Sequence, residues 1–283
     1  MLQLILAILG TFTISMLVKA AQVSGEDTRQ VITSNYVTAA LIGWLLVSLD
    51  GWPGLSLSTL LLGLGGGILW PGTLYLLIWG IGRYGVSLAG SVSRLSLTVP
   101  VIFALLFLGE RLTLFVTLGL LLAFLALFLL MPLRAGTLAR IDRQALWYFP
   151  LEILTFGFVA LWTNLFNIYG EPAEELLFVT LVFTFSLLFS LLALAALRVR
   201  LMGRAWRRGL IIGMPNMVHI FFLLQALQTP LFTGRSAVAY TIYSALGVIL
   251  VFGGGVFFWR EPVQRQSVAG ILVAVAAIIL LNL

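Results

Sequence analysis

Val86-Ser87-Leu88-Ala89-Gly90-Ser91-Val92-Ser93-Arg94-Leu95-Ser96-Leu97-Thr98-Val99-Pro100, continued by apolar residues to Leu108, holds one charge in 23 residues, at Arg94. A helix of about 20 mainly apolar residues spans a bilayer core. An arginine near its centre costs roughly 2.5–3.5 kcal/mol on insertion scales. A lipid-facing surface rarely retains such a group, so Arg94 is expected to face a polar interior and meet an anion. Ser87, Gly90, Ser91, Arg94 and Thr98 recur at steps of three and four, one face of a helix. The run therefore reads as one helix of a polytopic membrane protein.

The rest of the chain agrees. Of 283 residues 61% are hydrophobic and 9% charged, where soluble domains carry about 25% charge. A net charge of +6 would suggest nucleic acid in a soluble protein. Here the arginines collect between apolar runs, where they report topology and lipid headgroup contact, so no nucleic-acid partner is expected. With no cysteine, disulfides and thiolate metal sites are excluded. Breaks at Gly, Pro and charge predict an all-α protein of ten transmembrane helices: Leu2–Ala21, Gln30–Leu49, Ser58–Gly82, Val86–Leu108, Leu112–Pro132, Ala145–Tyr169, Ala173–Arg198, Trp206–Gln228, Ser236–Trp259 and Gln266–Leu283. The first run has no basic segment before it and is long enough to span, so it reads as a retained helix.

Two halves echo each other, 1–132 and 145–283. Trp70-Pro71-Gly72-Thr73 in helix three answers Met214-Pro215-Asn216-Met217 in helix eight. Gly109-Glu110-Arg111-Leu112 after helix four answers Trp259-Arg260-Glu261-Pro262 after helix nine. Sliding Gly85-Val86-Ser87 onto Gly234-Arg235-Ser236 sets Arg94 opposite Tyr243 and Ser91 opposite Tyr240. Five helices per half is an odd number, so the second copy would lie upside down, as in many secondary transporters.

Ten helices, Pro100 in helix four, and the Gly109-Glu110-Arg111 that closes it resemble the drug/metabolite transporter superfamily with EamA-type repeats. Asn35-Tyr36, Ser93-Arg94-Leu95-Ser96 with Val99-Pro100, and Gly213-Met214-Pro215-Asn216 are similar to a bacterial subgroup of those carriers. The resemblance spans essentially the whole chain and departs at Pro262, where the family often repeats a Gly-Glu-Arg/Lys-like ending. It implies a 5+5 bundle with helices one, three, four, six, eight and nine around a central cavity, in a bacterial inner membrane. It fixes no substrate, and no cofactor is expected.

Several polar residues fall on those helices. Thr11 and Ser15 form a stripe on helix one; Glu152 lies inside helix six; Asn216 and His219 share a face of helix eight. Tyr75, Trp79, Tyr240 and Tyr243 complete the candidate substrate-binding set with Arg94 and Ser91. For each there is a plainer reading: His219 as an interhelical hydrogen-bonding residue, the aromatics as packing or interface anchors, and Arg94 as an ion pair with Glu152. Gly63-Leu64-Gly65-Gly66-Gly67 lacks the Lys-Ser/Thr of a phosphate loop and suits close helix contact. No paired carboxylates or His-x-Glu pattern suggests a metal, and nothing supplies a base to Ser93 or Ser96.

The expectation is a carrier, not an enzyme. It would move a small anionic or zwitterionic metabolite, as an exporter, with Glu152 and His219 in proton coupling. A membrane-embedded enzyme, an accessory or receptor protein, and an organic cation or drug as substrate remain alternatives. The expected partners are the metabolite, lipid and a proton, with the chain as monomer or homodimer. After odd-numbered helices come Lys19, Arg29, Arg83, Arg134, Arg140, Arg143, Arg198, Arg200, Arg204, Arg207, Arg208, Arg260 and Arg265, against Arg111 and Arg235 after even ones. That bias predicts cytoplasmic odd loops, although the familiar ten-helix relatives are described with both termini inside.

Overall fold

The computed structural model describes residues 1–84, 96, 98–107, 113–130, 143–199, 203–260 and 265–281. Among them the helices are α1 (Leu2–Val23), α2 (Thr28–Asp50), α3 (Leu57–Tyr84), α4 (Thr98–Phe107), α5 (Leu114–Leu130), α6 (Ala145–Tyr169), α7 (Glu175–Ala196), α8 (Arg204–Gln228), α9 (Ser236–Trp259) and α10 (Arg265–Leu281). No strand occurs among the described residues. Seven helices (α1, α2, α3, α6, α7, α8 and α9) are long and apolar enough to cross a membrane, and such segments must satisfy their backbone internally. The described parts of α4, α5 and α10 are shorter, at 10, 17 and 17 residues. Arg94 and Ser91, with the start of expected helix four, lie outside the described residues.

Local chemistry sets the helix ends. The Asp27 side chain caps α2 by accepting from Arg29 N at 3.0 Å, and its carboxylate also takes the Arg29 guanidinium at 2.9 and 3.0 Å. That charge-assisted bond holds the Asp27 carboxyl below its ordinary range. Ser56 caps α3, its hydroxyl oxygen accepting from Thr59 N at 3.2 Å. Pro71, Pro150 and Pro215 lie inside α3, α6 and α8, each removing one intrahelical donor. The first and last stand out in the sequence pattern; Pro150, close to the start of α6, does not.

The chain divides into two compact units that are not its two halves. Unit 1 comprises Met1–Tyr75 and Trp162–Gln228; unit 2 comprises Leu76–Leu161 and Thr229–Leu283. Each draws on both halves of the sequence.

In unit 1, α8 packs on α1 and α2, and α2 packs on α7. Close approach is made by small residues. A Cβ on Gly213 would collide with α2 at Asn35 and Thr38, and one on Gly10 would sit 2.9 Å from both the Pro215 carbonyl oxygen and the His219 Cβ. The Gly63–Gly67 run does what its composition suggests: Gly63, Gly66 and Gly67 lie against Leu181, Val182 and Phe185 of α7, and Gly65 against the Trp162 indole. Trp162 Nε1 also donates to the Leu62 carbonyl at 2.8 Å, tying α6 to α3. α2 and α7 run antiparallel, with Val47 beside Leu177 at one end and Tyr36 beside Phe183 further along.

The two ends of unit 1 are held differently. At one, Arg208 of α8 pairs with Glu26 of the α1–α2 loop at 2.8 Å. At the other, Glu174 accepts from the Ser56 backbone N–H at 2.9 Å and from its hydroxyl at 2.7 Å, and Gln228 donates to Asn167 at 2.9 Å. Loops after α1 and α7 thus share one end, and loops after α2, α6 and α8 the other.

In unit 2, α5 packs on α10, and α9 packs on α4, α5 and α10. Ala126, Ala245 and Ala274 form a small-residue core there. α6 meets the start of α4 where Gly157 lies against Val99, so a side chain at 157 would clash.

Candidate functional site

The sequence-selected residues that are described fall into two groups, one per unit. In unit 1, Asn216 Nδ2 donates to Asn35 Oδ1 at 2.6 Å, joining α8 to α2. The Asn35 amide in turn donates to the Ile32 carbonyl, so its oxygen is oriented toward α8. His219, one turn beyond Pro215, is half-buried and its Cβ faces α1 at Gly10. Thr11 and Ser15 on α1 are half-buried, their hydroxyls donating to the carbonyls of Ala7 at 3.2 Å and Thr11 at 2.9 Å. Tyr75 of α3 meets Thr33 of α2 hydroxyl to hydroxyl at 3.4 Å.

In unit 2, Glu152 is fully buried (0% exposed), and neither carboxyl oxygen accepts a hydrogen bond in good geometry from a described residue. Tyr148, also fully buried, lies one turn earlier on the same helical face. Its ring packs against Trp79 at 5.1 Å, and Trp79 against Trp147 at 5.5 Å. Thr155, one turn later, donates to the Glu152 backbone carbonyl at 3.2 Å, leaving the carboxyl group to its own surroundings. Tyr240 is 1% exposed, and its hydroxyl donates to the Ala160 carbonyl at 3.0 Å, a bridge between α9 and α6. Tyr243 on the same helix is half-buried. Gly157 of α6 also lies against the Ser96 carbonyl oxygen.

In the sequence Asn35 stands out only within the Asn35-Tyr36 motif, not as the partner of Asn216. The polar run Thr33-Ser34-Asn35-Tyr36 inside an apolar helix was the available signal, but nothing in one dimension pairs positions 35 and 216. Tyr148 is not among the sequence candidates, although its i, i+4 spacing to Glu152 is the signal that points to it. Asn216→Ala is expected to cost about 1 kcal/mol of unfolding free energy, because it leaves the buried Asn35 oxygen without its donor. Denaturant melts of both single variants and of Asn35→Ala/Asn216→Ala would check it: the double variant should cost less than the sum of the singles.

No family model matches the chain. An uncharacterized protein of Haemophilus influenzae is 24% identical over 284 residues, covering 97% of this chain and 95% of that one. A crystal structure described simply as that of a protein superposes with a TM-score of 0.80 at 15% identity, covering 99% of this chain and 94% of the other. That likeness shows the fold alone.

Proposed function

We propose that the chain is a secondary transporter of the drug/metabolite superfamily, built as a 5+5 inverted repeat and moving a small anionic or zwitterionic metabolite by alternating access. The observation that carries this reading is how the packing pairs. Advancing each helix by five relates α1 to α6, α2 to α7, and so on. Three observed contacts, α2–α7, α4–α9 and α5–α10, join such equivalents directly. Two more come in matched pairs: α1–α8 with α6–α3, and α2–α8 with α7–α3. The equivalents α2 and α7 run antiparallel, as inversion requires. Two interleaved copies of one five-helix unit are the arrangement that lets a bundle open alternately to either side.

Two intramembrane ionisable residues supply chemistry. Glu152 is a buried carboxyl in an apolar unit, and Arg94 is the one charge of its run. Intramembrane charges are retained where they serve transport or ion pathways. Arg94 receives the anionic group of the solute, and Glu152 exchanges a proton. The protein works as a monomer or homodimer in a bacterial inner membrane. The loops after odd-numbered helices face the cytoplasm, as their arginine excess favours. A second reading, an organic cation as substrate, is favoured by the Trp79–Trp147–Tyr148 rings on the helices that hold Glu152 and its neighbour.

The test is flux. Purified protein in liposomes is given radiolabelled neutral amino acids, dicarboxylates and the cation tetraphenylphosphonium, with and without an imposed pH gradient. Saturable entry of an anionic or zwitterionic solute supports the proposal. Saturable entry of the cation alone selects the second reading, and no flux above protein-free liposomes sinks both.

A further inference from the structure

Unit 1 contains a seam of hydroxyl groups that the carrier reading has not used. Ser186 and Ser190 of α7 are 0% exposed and Tyr36 of α2 is 1% exposed. Their hydroxyl oxygens are closed to solvent, and none has a hydrogen-bond partner among the described residues. Buried hydroxyls are almost always paired, and leaving one unpaired is costly. Thr180 and Thr184, on the same helix, show the ordinary solution: each donates to the carbonyl four residues back, at 2.7 and 2.8 Å. The two serines do not.

The three are linked through one face of α7, which also meets α3, where Phe183 stacks on Trp70 at 5.7 Å. Tyr36 packs on Phe183 with ring centroids 6.2 Å apart, and Phe183, Ser186 and Ser190 follow at i, i+3 and i+7, one face of α7. α2 and α7 are antiparallel with Gly43 against Thr180, so moving along α7 to Ser190 brings the level back along α2 to Thr33, whose hydroxyl meets Tyr75. None of these side chains is charged. The charges nearest along α2, Asp27 and Arg29, are engaged with each other at 2.9 Å. Ser190 lies six residues before the end of α7, about 9 Å along the axis at 1.5 Å per residue, toward the end of unit 1 where Glu26 and Arg208 pair.

We propose that this seam, where one face of α7 meets α2 and α3, is a gate, closed in this conformation, that opens toward the basic-loop end and then takes up water and an uncharged, hydrogen-bonding part of the solute. A hydroxyl-lined seam is poorly satisfied when shut and well satisfied when hydrated, so its closed state is held by the surrounding apolar contacts and its open state by hydrogen bonds to what enters. Two states separated by a small free-energy gap are what a gate needs. The uncharged lining assigns it the neutral portion of a metabolite, the charged portion being left to Arg94. The solute assignment rests on the carrier reading; the opening does not.

The chain has no cysteine, so single cysteines report without background. Ser186→Cys and Ser190→Cys would be reacted with a membrane-impermeant thiosulfonate in vesicles of either orientation. Ser24→Cys and Asp50→Cys serve as exposed controls for the two ends, and Ala39→Cys as a fully buried apolar control. Labelling of both seam cysteines from the Ser24 side, at least tenfold faster than Ala39→Cys, is expected. Adding Tyr36→Phe, which removes a hydroxyl satisfied only in the open state, should slow Ser190→Cys labelling at least threefold. Labelling no faster than Ala39→Cys, from the Asp50 side instead, or unchanged by Tyr36→Phe, overturns the gate. None of these outcomes bears on whether solute flux occurs, so the carrier reading stands or falls separately.

Discussion

Arg94→Ala is expected to abolish saturable transport in liposomes while leaving the protein folded. A guanidinium offers a bidentate fork to a carboxylate, a geometry a single ammonium cannot reproduce. Losing charge-assisted hydrogen bonds of this kind costs about 3 kcal/mol, roughly a hundredfold in affinity. Arg94→Lys keeps the charge and loses the fork, so it should fall between wild type and Arg94→Ala. The measurement is the initial rate of uptake over a range of solute concentrations, alongside a thermal melt of each variant. Wild-type uptake by Arg94→Ala would remove Arg94 from the site. If Arg94 serves only as a counter-ion to Glu152, Arg94→Ala should melt well below wild type and the Arg94→Ala/Glu152→Gln pair should recover stability.

Glu152→Gln should remove gradient-driven accumulation and leave solute exchange intact. Glutamine keeps the shape of the side chain and cannot release a proton. Glu152 is closed to solvent and without a well-formed hydrogen bond among the described residues, so a proton can reach or leave it only when the surrounding helices admit water. Under the carrier proposal, protonation would be tied to the conformational cycle. In the proposed cycle the ionised carboxylate competes with the solute for Arg94: solute binding frees Glu152 to take up a proton, and solute release restores the pair. Uptake with an inward pH gradient, compared with counterflow at equal pH, separates the two activities. Equal accumulation by wild type and Glu152→Gln would reduce Glu152 to a structural strut. An effect of the same size in His219→Gln would add the imidazole to the proton path, whereas wild-type behaviour would confine His219 to the α1–α8 contact at Gly10.

Helix positions were largely legible in one dimension. The expected bounds Ala145–Tyr169 and Ser236–Trp259 coincide with those observed for α6 and α9, and the others shown mostly differ by a few residues at their ends. In a bilayer the backbone must bond to itself within each segment, so length and apolar content decide where helices lie. The role of Gly63–Gly67 was readable for a similar reason: a patch of residues without side chains has close contact as its main use.

Which helices meet was another matter. A helix apolar on every side presents no dominant stripe, so its pattern does not single out a neighbour. The Asn35–Asn216 bond, the Trp162 bond to Leu62 and the Glu174 clamp on Ser56 each join positions far apart in the chain. They form because the helices between them fold back, not because of any local signal. The same holds for the hydroxyls of Tyr36, Ser186 and Ser190. Serine and tyrosine in a membrane helix have a carbonyl or a neighbouring side chain to choose from, and packing decides which is within reach.

By itself, then, the sequence determined that this is an all-helical chain whose long apolar segments suit a membrane, with a few polar groups inside them, because those properties follow from residue-by-residue partition between water and lipid. The tertiary structure alone decided that the compact units interleave the two halves and that Glu152 is sealed from solvent, since both depend on which apolar surfaces find complementary shapes, a property of pairs of helices that neither member carries.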